Sequence, residues 1–176
     1  MNDLTIKHDK RIIWIHWLSA ALILTMIPSG KILRDTDISS TKLLLYQWHI
    51  TVGILVFSMT IYRSYLFFTA KRPPRLDTGR YLHNILILLV QRLFYIALWV
   101  LGISGIATIF VADIISPVLH NDWQKLPATV DIAIFDAHEF AGNLMIVLLI
   151  AHVGGVALHY YRFKENVLKR IFYKSS

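Results

Sequence analysis

Four long apolar segments constrain the fold of this chain more than any other feature of its sequence. They lie at approximately residues 12–29, 43–63, 86–112 and 135–161, and each is close to the ~20 residues that a helix needs to cross a bilayer. Charged residues make up only 16% of the 176 positions, against about a quarter in soluble domains. Backbone polar groups in lipid must bond within their own segment. We therefore predict an all-α fold, an integral membrane four-helix bundle that forms one domain over residues 1–176.

Lysine and arginine are distributed unevenly between the two ends of the predicted bundle. Fourteen of the 18 lie in the N-terminal segment, the second connection with its flanking Arg63 and Arg92, and the C-terminal tail. The outer side, which comprises the first and third connections with Asp136 and Glu139 at the start of the fourth span, has a net charge of −3. Since cytoplasmic loops carry the Lys/Arg excess, both termini are expected to be cytoplasmic. The net charge of +7 is then explained by topology and lipid headgroups, and no nucleic acid partner is expected.

The absence of cysteine limits the cofactors that the chain can hold. Disulfides, iron–sulfur clusters, thiolate ligation and covalent c-type haem all need cysteine. Any haem must therefore be bound without a covalent link. The first apolar segment is too long for a cleaved signal peptide and is expected to remain as a span.

Four histidines lie at matched depths in three of the apolar segments. His138 and His152 are 14 residues apart, which on a helix is about 21 Å and nearly four turns, so both rings leave the same face. By depth, His16 pairs with His152 near the inner edge and His49 with His138 near the outer edge. Two facing helices that each supply an imidazole can hold a haem iron. We predict two such sites; for any one histidine alone, a hydrogen bond to a neighbouring helix is the alternative.

The other histidines have different expected roles. His159 lies seven residues after His152 on nearly the same face and competes with it as a ligand. Its position just before Arg162 favours the interface, beside a propionate or a quinone. Three further histidines lie in polar surroundings and are expected to be solvated: His8, His83 and His120.

Two glycines and one arginine complete the set of expected cofactor-binding residues. Gly53 and Gly142 each follow a histidine by four residues and would let a porphyrin approach the backbone; close helix packing through small residues is an equally good explanation. Arg92, beside an apolar run at inner depth, is a candidate partner for a haem propionate, with a snorkelling interfacial arginine as the alternative.

Three stretches of the chain resemble the bacterial cytochrome b561 family of four-helix dihaem cytochromes of the inner membrane: RIIWIHWLSAALIL, WHITVGILVFSMTIYR and HEFAGNLMIVLLIAHVGGVALHYYRFKENVLKRIF. The first is similar to the family's first-helix His-Trp, the second to its second-helix His with a Gly and a closing Arg, and the third to its last helix and tail. The family is related to the cytochrome b subunits of membrane hydrogenases and formate dehydrogenases. The resemblance implies that His16, His49, His138 and His152 are axial ligands of two haem b groups in a multi-pass protein of the bacterial inner membrane.

The resemblance also implies a function in the respiratory chain. The family exchanges electrons between the quinone pool, as ubiquinone or menaquinone, and a second donor or acceptor, so a quinone-linked oxidoreductase is expected. Three residues could face the quinone head-group, although aromatic belt residues are the commoner explanation: Tyr95, His159 and Tyr160.

The sequence leaves three other functions open. One is the membrane-anchor cytochrome b subunit of a periplasmic dehydrogenase or hydrogenase-type complex, which would dock a periplasmic redox protein. A superoxide:ubiquinone oxidoreductase is disfavoured, because superoxide is an anion and the outer connections are negative. The most distant is a proton or metal transporter based on histidine, which would be colourless. The expected partners are thus quinone, the lipid bilayer and a periplasmic redox protein, and a homodimer is left open.

Overall fold

The computed structural model describes residues 8–70, 80–164 and 166–172, and helices dominate them. Four helices are long and apolar enough to cross a membrane: α1 (Lys10–Asp35), α2 (Ser40–Thr69), α3 (Tyr81–Val111) and α5 (Ala133–Phe163). A short helix, α4 (Ile115–His120), precedes a 3₁₀ turn at Trp123–Lys125, and a second 3₁₀ turn at Val167–Arg170 follows α5. The described residues contain no strand. The predicted all-α class with four apolar helices is therefore confirmed.

The helices extend beyond the predicted spans. Helix α2 continues past Arg63 to Thr69, and α3 already begins at Tyr81, so the stretch LHNILILLVQ is part of the third long helix. The third connection, between α3 and α5, contains α4 and the first 3₁₀ turn. Hydropathy alone missed these short elements, since they lie outside the apolar segments.

Local polar contacts define the ends of the first two helices. The Asp9 carboxylate accepts a hydrogen bond from the Arg11 backbone N–H (2.8 Å) and caps α1. The Ser39 hydroxyl caps α2 in the same way by accepting from the Lys42 backbone N–H (3.2 Å). The Lys42 ammonium donates to the Thr36 carbonyl at the C-terminus of α1 (2.7 Å). Such contacts satisfy backbone groups that a helix end leaves free, and they fold α1 and α2 into a tight antiparallel hairpin.

The four long helices do not pack evenly around one centre. Backbones approach closely between α1 and α2, between α2 and α3, and most extensively between α3 and α5, whereas α5 has no comparable backbone contact with α1 or α2 in the described residues. We call the space between α5 and the α1–α2 hairpin the slot. A buried core cluster lies midway along the bundle and consists of Val56, Ala97, Leu98, Met145 and Leu148.

Different elements cover the two ends of the bundle. At the termini end, the Trp17 indole N–H donates to the Ile171 carbonyl (2.8 Å), its ring packs against Phe172, and the His8 backbone N–H donates to the Arg170 carbonyl (3.2 Å). At the opposite end, which we call the cap end, the Gln47 amide donates to Val118 and Asn121 near the end of α4. The tail thus covers the start of α1, and α4 covers the start of α2.

Close packing of α2 on α3 depends on a glycine, and this gives a stability prediction. A Cβ placed on Gly102 would overlap the ring of Phe57, which itself packs edge-on against Trp99. We predict that Gly102→Ala lowers the free energy of unfolding by about 1–3 kcal/mol, because the whole ring must move. Thermal unfolding in detergent, followed by circular dichroism, measures this loss. Gly155→Ala is the control, because a Cβ there meets nothing within 4 Å; equal losses in the two variants would contradict the explanation.

Candidate functional site

The structure brings four histidines together in the two pairings expected from their depth. The ring centroids of His16 on α1 and His152 on α5 are 6.4 Å apart. Those of His49 on α2 and His138 on α5 are 6.3 Å apart. We call these the first pair, at the termini end, and the second pair, at the cap end. Within each pair, the two rings face each other across the slot, where the helix backbones do not pack closely.

The spacing within each pair fits two imidazoles on opposite sides of one metal ion. Metal–nitrogen bonds of about 2 Å on both sides place the ring centroids roughly 6 Å apart. The rings of each pair are inclined to one another, by 60° in the first and 71° in the second, so they are not stacked on each other. Each pair offers two nitrogen ligands from two helices, which is the protein's share of the coordination in a bis-histidine haem.

A serine on α1 orients His49. The Ser29 hydroxyl lies 2.9 Å from His49 Nδ1 and also donates to the Met26 carbonyl of its own helix (2.8 Å). Since its proton is used within α1, the Ser29 oxygen accepts from Nδ1–H of the imidazole. This contact leaves Nε2 of His49 unprotonated, which is the state that a metal ligand needs.

His138 is held in the same way, with an additional acceptor. Its Nδ1 lies 3.1 Å from the Leu101 carbonyl and 3.2 Å from the Ser104 hydroxyl. The Ser104 hydroxyl donates to the Val100 carbonyl, so it too can only accept from the ring. Both histidines of the second pair therefore direct Nδ1–H to protein oxygen atoms.

Glycines follow both of these serines and let the rings approach. A Cβ on Gly30 would lie 3.3 Å from His49 Cε1, and one on Gly105 would lie 3.0 Å from His138 Cε1. The dipeptides Ser29-Gly30 on α1 and Ser104-Gly105 on α3 thus form equivalent supports for the two histidines. The sequence prediction missed them, although the recurrence of Ser-Gly in two apolar segments was a visible signal.

The two glycines named from the sequence lie in different surroundings. A Cβ on Gly53 would be 3.4 Å from Met26 Cε, which is ordinary contact between α2 and α1. A Cβ on Gly142 would meet nothing within 4 Å, so there is room beside α5 one turn from His138. The role of either glycine at a cofactor stays a prediction.

Aromatic rings and one arginine surround the first pair. Trp17 packs edge-on against His16 (centroids 5.4 Å), and Phe94 packs edge-on against His152 (5.5 Å). The Arg63 guanidinium lies over the Tyr95 ring, 5.6 Å from its centroid, and its charge reaches both histidines of the pair.

Arginine 63 was not among the binding residues expected from the sequence. The arginine predicted to bind a propionate, Arg92, is exposed on α3. Which of these two arginines lies near the first pair depends on how each helix is rotated about its axis. Residue spacing along one helix does not give that rotation.

The remaining histidines lie outside the two pairs, but not all of them have the surroundings that the sequence predicted. His159, named as a competitor of His152, belongs to neither pair: it is 3% exposed and packs against His83 (centroids 5.9 Å) and Phe163 (4.9 Å). The expectation that His83 is solvated is wrong, because α3 begins earlier than predicted and carries this residue against α5. His120 is exposed, as expected, and its Nδ1–H donates to the Ser116 carbonyl (2.9 Å).

These features define a multi-pass helical membrane protein with two histidine pairs across an interhelical slot. A sequence model of the prokaryotic cytochrome b561 family matches residues 7–174, and the chain belongs to this family. Membership indicates a haem b protein that transfers electrons in a membrane. No curated protein sequence matches the chain significantly.

The serine contacts predict unequal effects of two similar substitutions on haem binding. Ser29→Ala removes the only acceptor described for His49 Nδ1–H, and loss of such a contact typically weakens metal binding 10–100-fold. We expect Ser104→Ala to weaken binding less, because the Leu101 carbonyl still accepts from His138. Transfer of haem from the detergent-solubilised protein to apomyoglobin measures both effects.

A matched control is available on α2. The exposed Ser58 hydroxyl also donates to a carbonyl of its own helix, that of Ile54, and Ser58→Ala should leave the rate of haem transfer unchanged. A larger effect of Ser104→Ala than of Ser29→Ala would contradict the assignment of the acceptors.

Proposed function

We propose that this protein is a dihaem b electron-transfer protein that exchanges electrons between the quinone pool and a second donor or acceptor across the bacterial inner membrane. His16 and His152 hold one haem b, and His49 and His138 hold the other. The observation that carries the proposal is the spacing of the two histidine pairs, with ring centroids 6.4 and 6.3 Å apart. Bound haem supplies one-electron oxidation and reduction, and the chain positions and tunes it.

Continuity of α5 supports an electron path across the membrane. His138 and His152 lie on one unbroken helix, about 21 Å apart along its axis. Met145, buried in the core cluster, lies halfway between them. The two sites thus lie one above the other, one toward each membrane surface.

Charge distribution supports an orientation with both termini in the cytoplasm. The described helix ends that adjoin the basic N-terminal segment, second connection and tail are at the termini end, and the connections at the cap end are acidic on balance. This is the asymmetry that the positive-inside rule describes. The first pair then faces the cytoplasm and the second pair the periplasm.

A groove at the termini end supports quinone exchange at the cytoplasmic side. It is open, about 440 Å³ in volume, and lined by Arg80, Tyr81, Leu82, His83, Leu86 and Arg162. His83 Nε2 is buried without a hydrogen-bond partner among the described residues, and the ring packs on His159 and Phe163. Mostly apolar walls with a few polar groups suit a small aromatic ligand such as a quinone head-group. Its reduction to the quinol takes two electrons and two protons.

Counting haem b per polypeptide tests the dihaem assignment. We expect two in the wild type, and a loss of at least one in both His138→Ala and His152→Ala, because each substitution removes one of two protein ligands. The alkaline pyridine haemochromogen spectrum of the purified protein in mild detergent gives the number. His120→Ala is the matched control and should retain two, since His120 is exposed and bonded within α4. A colourless wild type, expressed with adequate haem, would favour a histidine-based transporter instead.

Quinone kinetics test the groove. We expect His83→Phe to raise the KM for a short-chain ubiquinone or menaquinone roughly 2- to 10-fold, because it removes a polar ring from the lining of the groove, while both haems remain bound. Stopped-flow oxidation of the reduced cytochrome measures it. Tyr161→Phe, at a side chain that is 71% exposed on the same helix end, is the control. Unchanged kinetics in His83→Phe would indicate that quinone binds outside this groove.

A further inference from the structure

Two polar contacts cross the slot at the cap end and join α1 to α5. The Lys31 ammonium donates to the Asn143 side-chain oxygen (2.8 Å). One turn further along α1, the Arg34 guanidinium forms an ion pair with the Glu139 carboxylate. The Arg34 side chain is 57% exposed and that of Glu139 26%, so the ion pair lies at the edge of the slot, partly shielded from solvent.

Both members of this ion pair are close in sequence to residues of the second histidine site. Glu139 is the neighbour of His138 on α5, and Arg34 is one turn beyond Gly30, which contacts the ring of His49. The Glu139 carboxylate and the Arg34 guanidinium are thus an oppositely charged pair that α5 and α1 bring together at this end of the slot, where Lys31 is a further cation. While they are paired, their fields largely cancel at the histidines.

We propose that their mutual ion pair keeps Arg34 and Glu139 from shifting the reduction potential of the haem at the second pair, so that removal of either partner alone moves this potential. The inference rests on the proposed function, because it requires haem between His49 and His138. Arg34 and Glu139 are positioning residues for charge and do not bind the iron.

The sign of the effect follows from the charge of the electron. Reduction adds one negative charge to the site, so a nearby carboxylate disfavours it and a nearby guanidinium favours it. Glu139→Gln leaves the cation of Arg34 unmatched and raises the potential. Arg34→Gln leaves the carboxylate of Glu139 unmatched and lowers it. Solvent and salt weaken both shifts, because both side chains are partly exposed.

Shifts of the reduction potential in opposite directions distinguish this electrostatic role from a structural one. A substitution that only loosened the contact between α1 and α5 would disturb the site in the same way whichever partner was removed. The Lys31–Asn143 contact still joins the two helices in each variant, so the variants are expected to fold and to bind haem.

The experiment is a potentiometric titration of the purified protein, followed at the haem absorption bands, for the wild type, Glu139→Gln, Arg34→Gln and the double variant. We expect two reduction waves, of which one moves up in Glu139→Gln, moves down in Arg34→Gln and returns close to the wild-type position in the double variant. The other wave should stay in place. A matched control removes the exposed ion pair between Asp122 and Lys125 in the connection after α4, through Asp122→Asn and Lys125→Gln, and should move either wave less.

Each outcome bears on the inference. Shifts in the same direction for the two single variants, or two waves that do not move, would overturn it while leaving the dihaem function intact. A wild type with no haem or with a single haem would contradict the proposed function and the inference together.

Discussion

The contacts across the slot determine how the two halves of this bundle are held together. In lipid there is no hydrophobic force between apolar helices, and association depends on close packing and polar contacts. Helices α1 and α2 pack closely, as do α3 and α5, but α5 has no comparable backbone contact with the α1–α2 hairpin in the described residues. The slot is crossed mainly by side chains: the two histidine pairs, Lys31 with Asn143, and Arg34 with Glu139. A planar, largely apolar macrocycle between the histidines would supply the packing that the backbones leave out.

The serine supports show how a membrane helix can prepare a ligand for a metal. A serine inside a helix usually directs its proton to a carbonyl one turn earlier, and Ser29 and Ser104 both do so. That local bond converts the hydroxyl into an acceptor for a third partner, and the partner here is Nδ1–H of a histidine on another helix. An imidazole in the membrane interior is costly unless both nitrogens are engaged. With Nδ1 bonded to serine, only Nε2 remains to be satisfied.

The sequence predicted the features that each apolar segment determines by itself. Hydropathy located the four long helices, and the depth of His16, His49, His138 and His152 predicted which would meet, because depth is read from distance to the charged segment ends. What depends on helix rotation and on neighbours was missed: the Ser-Gly supports, the contact of Gly102 with Phe57, and Arg63 rather than Arg92 beside the first pair. The misplacement of His83 had a simpler cause. The start of α3 lies in a stretch whose apolar residues are interrupted by polar ones, so its helical character was not evident.

The two sites differ in their electrostatic surroundings, and this difference bears on the direction of electron flow. At the first pair, the charge of Arg63 reaches both histidines, and its guanidinium lies over the uncharged ring of Tyr95. At the second pair, the cation of Arg34 is matched by the carboxylate of Glu139. A positive charge stabilises the reduced state of a nearby redox group. The cap end also has Lys31, whose ammonium bonds to the uncharged Asn143 side chain, so a cation without a carboxylate partner in these contacts is found near each site. Under the proposed function, the direction of electron transfer therefore depends on the balance between Arg63 at the termini end and Lys31 at the cap end.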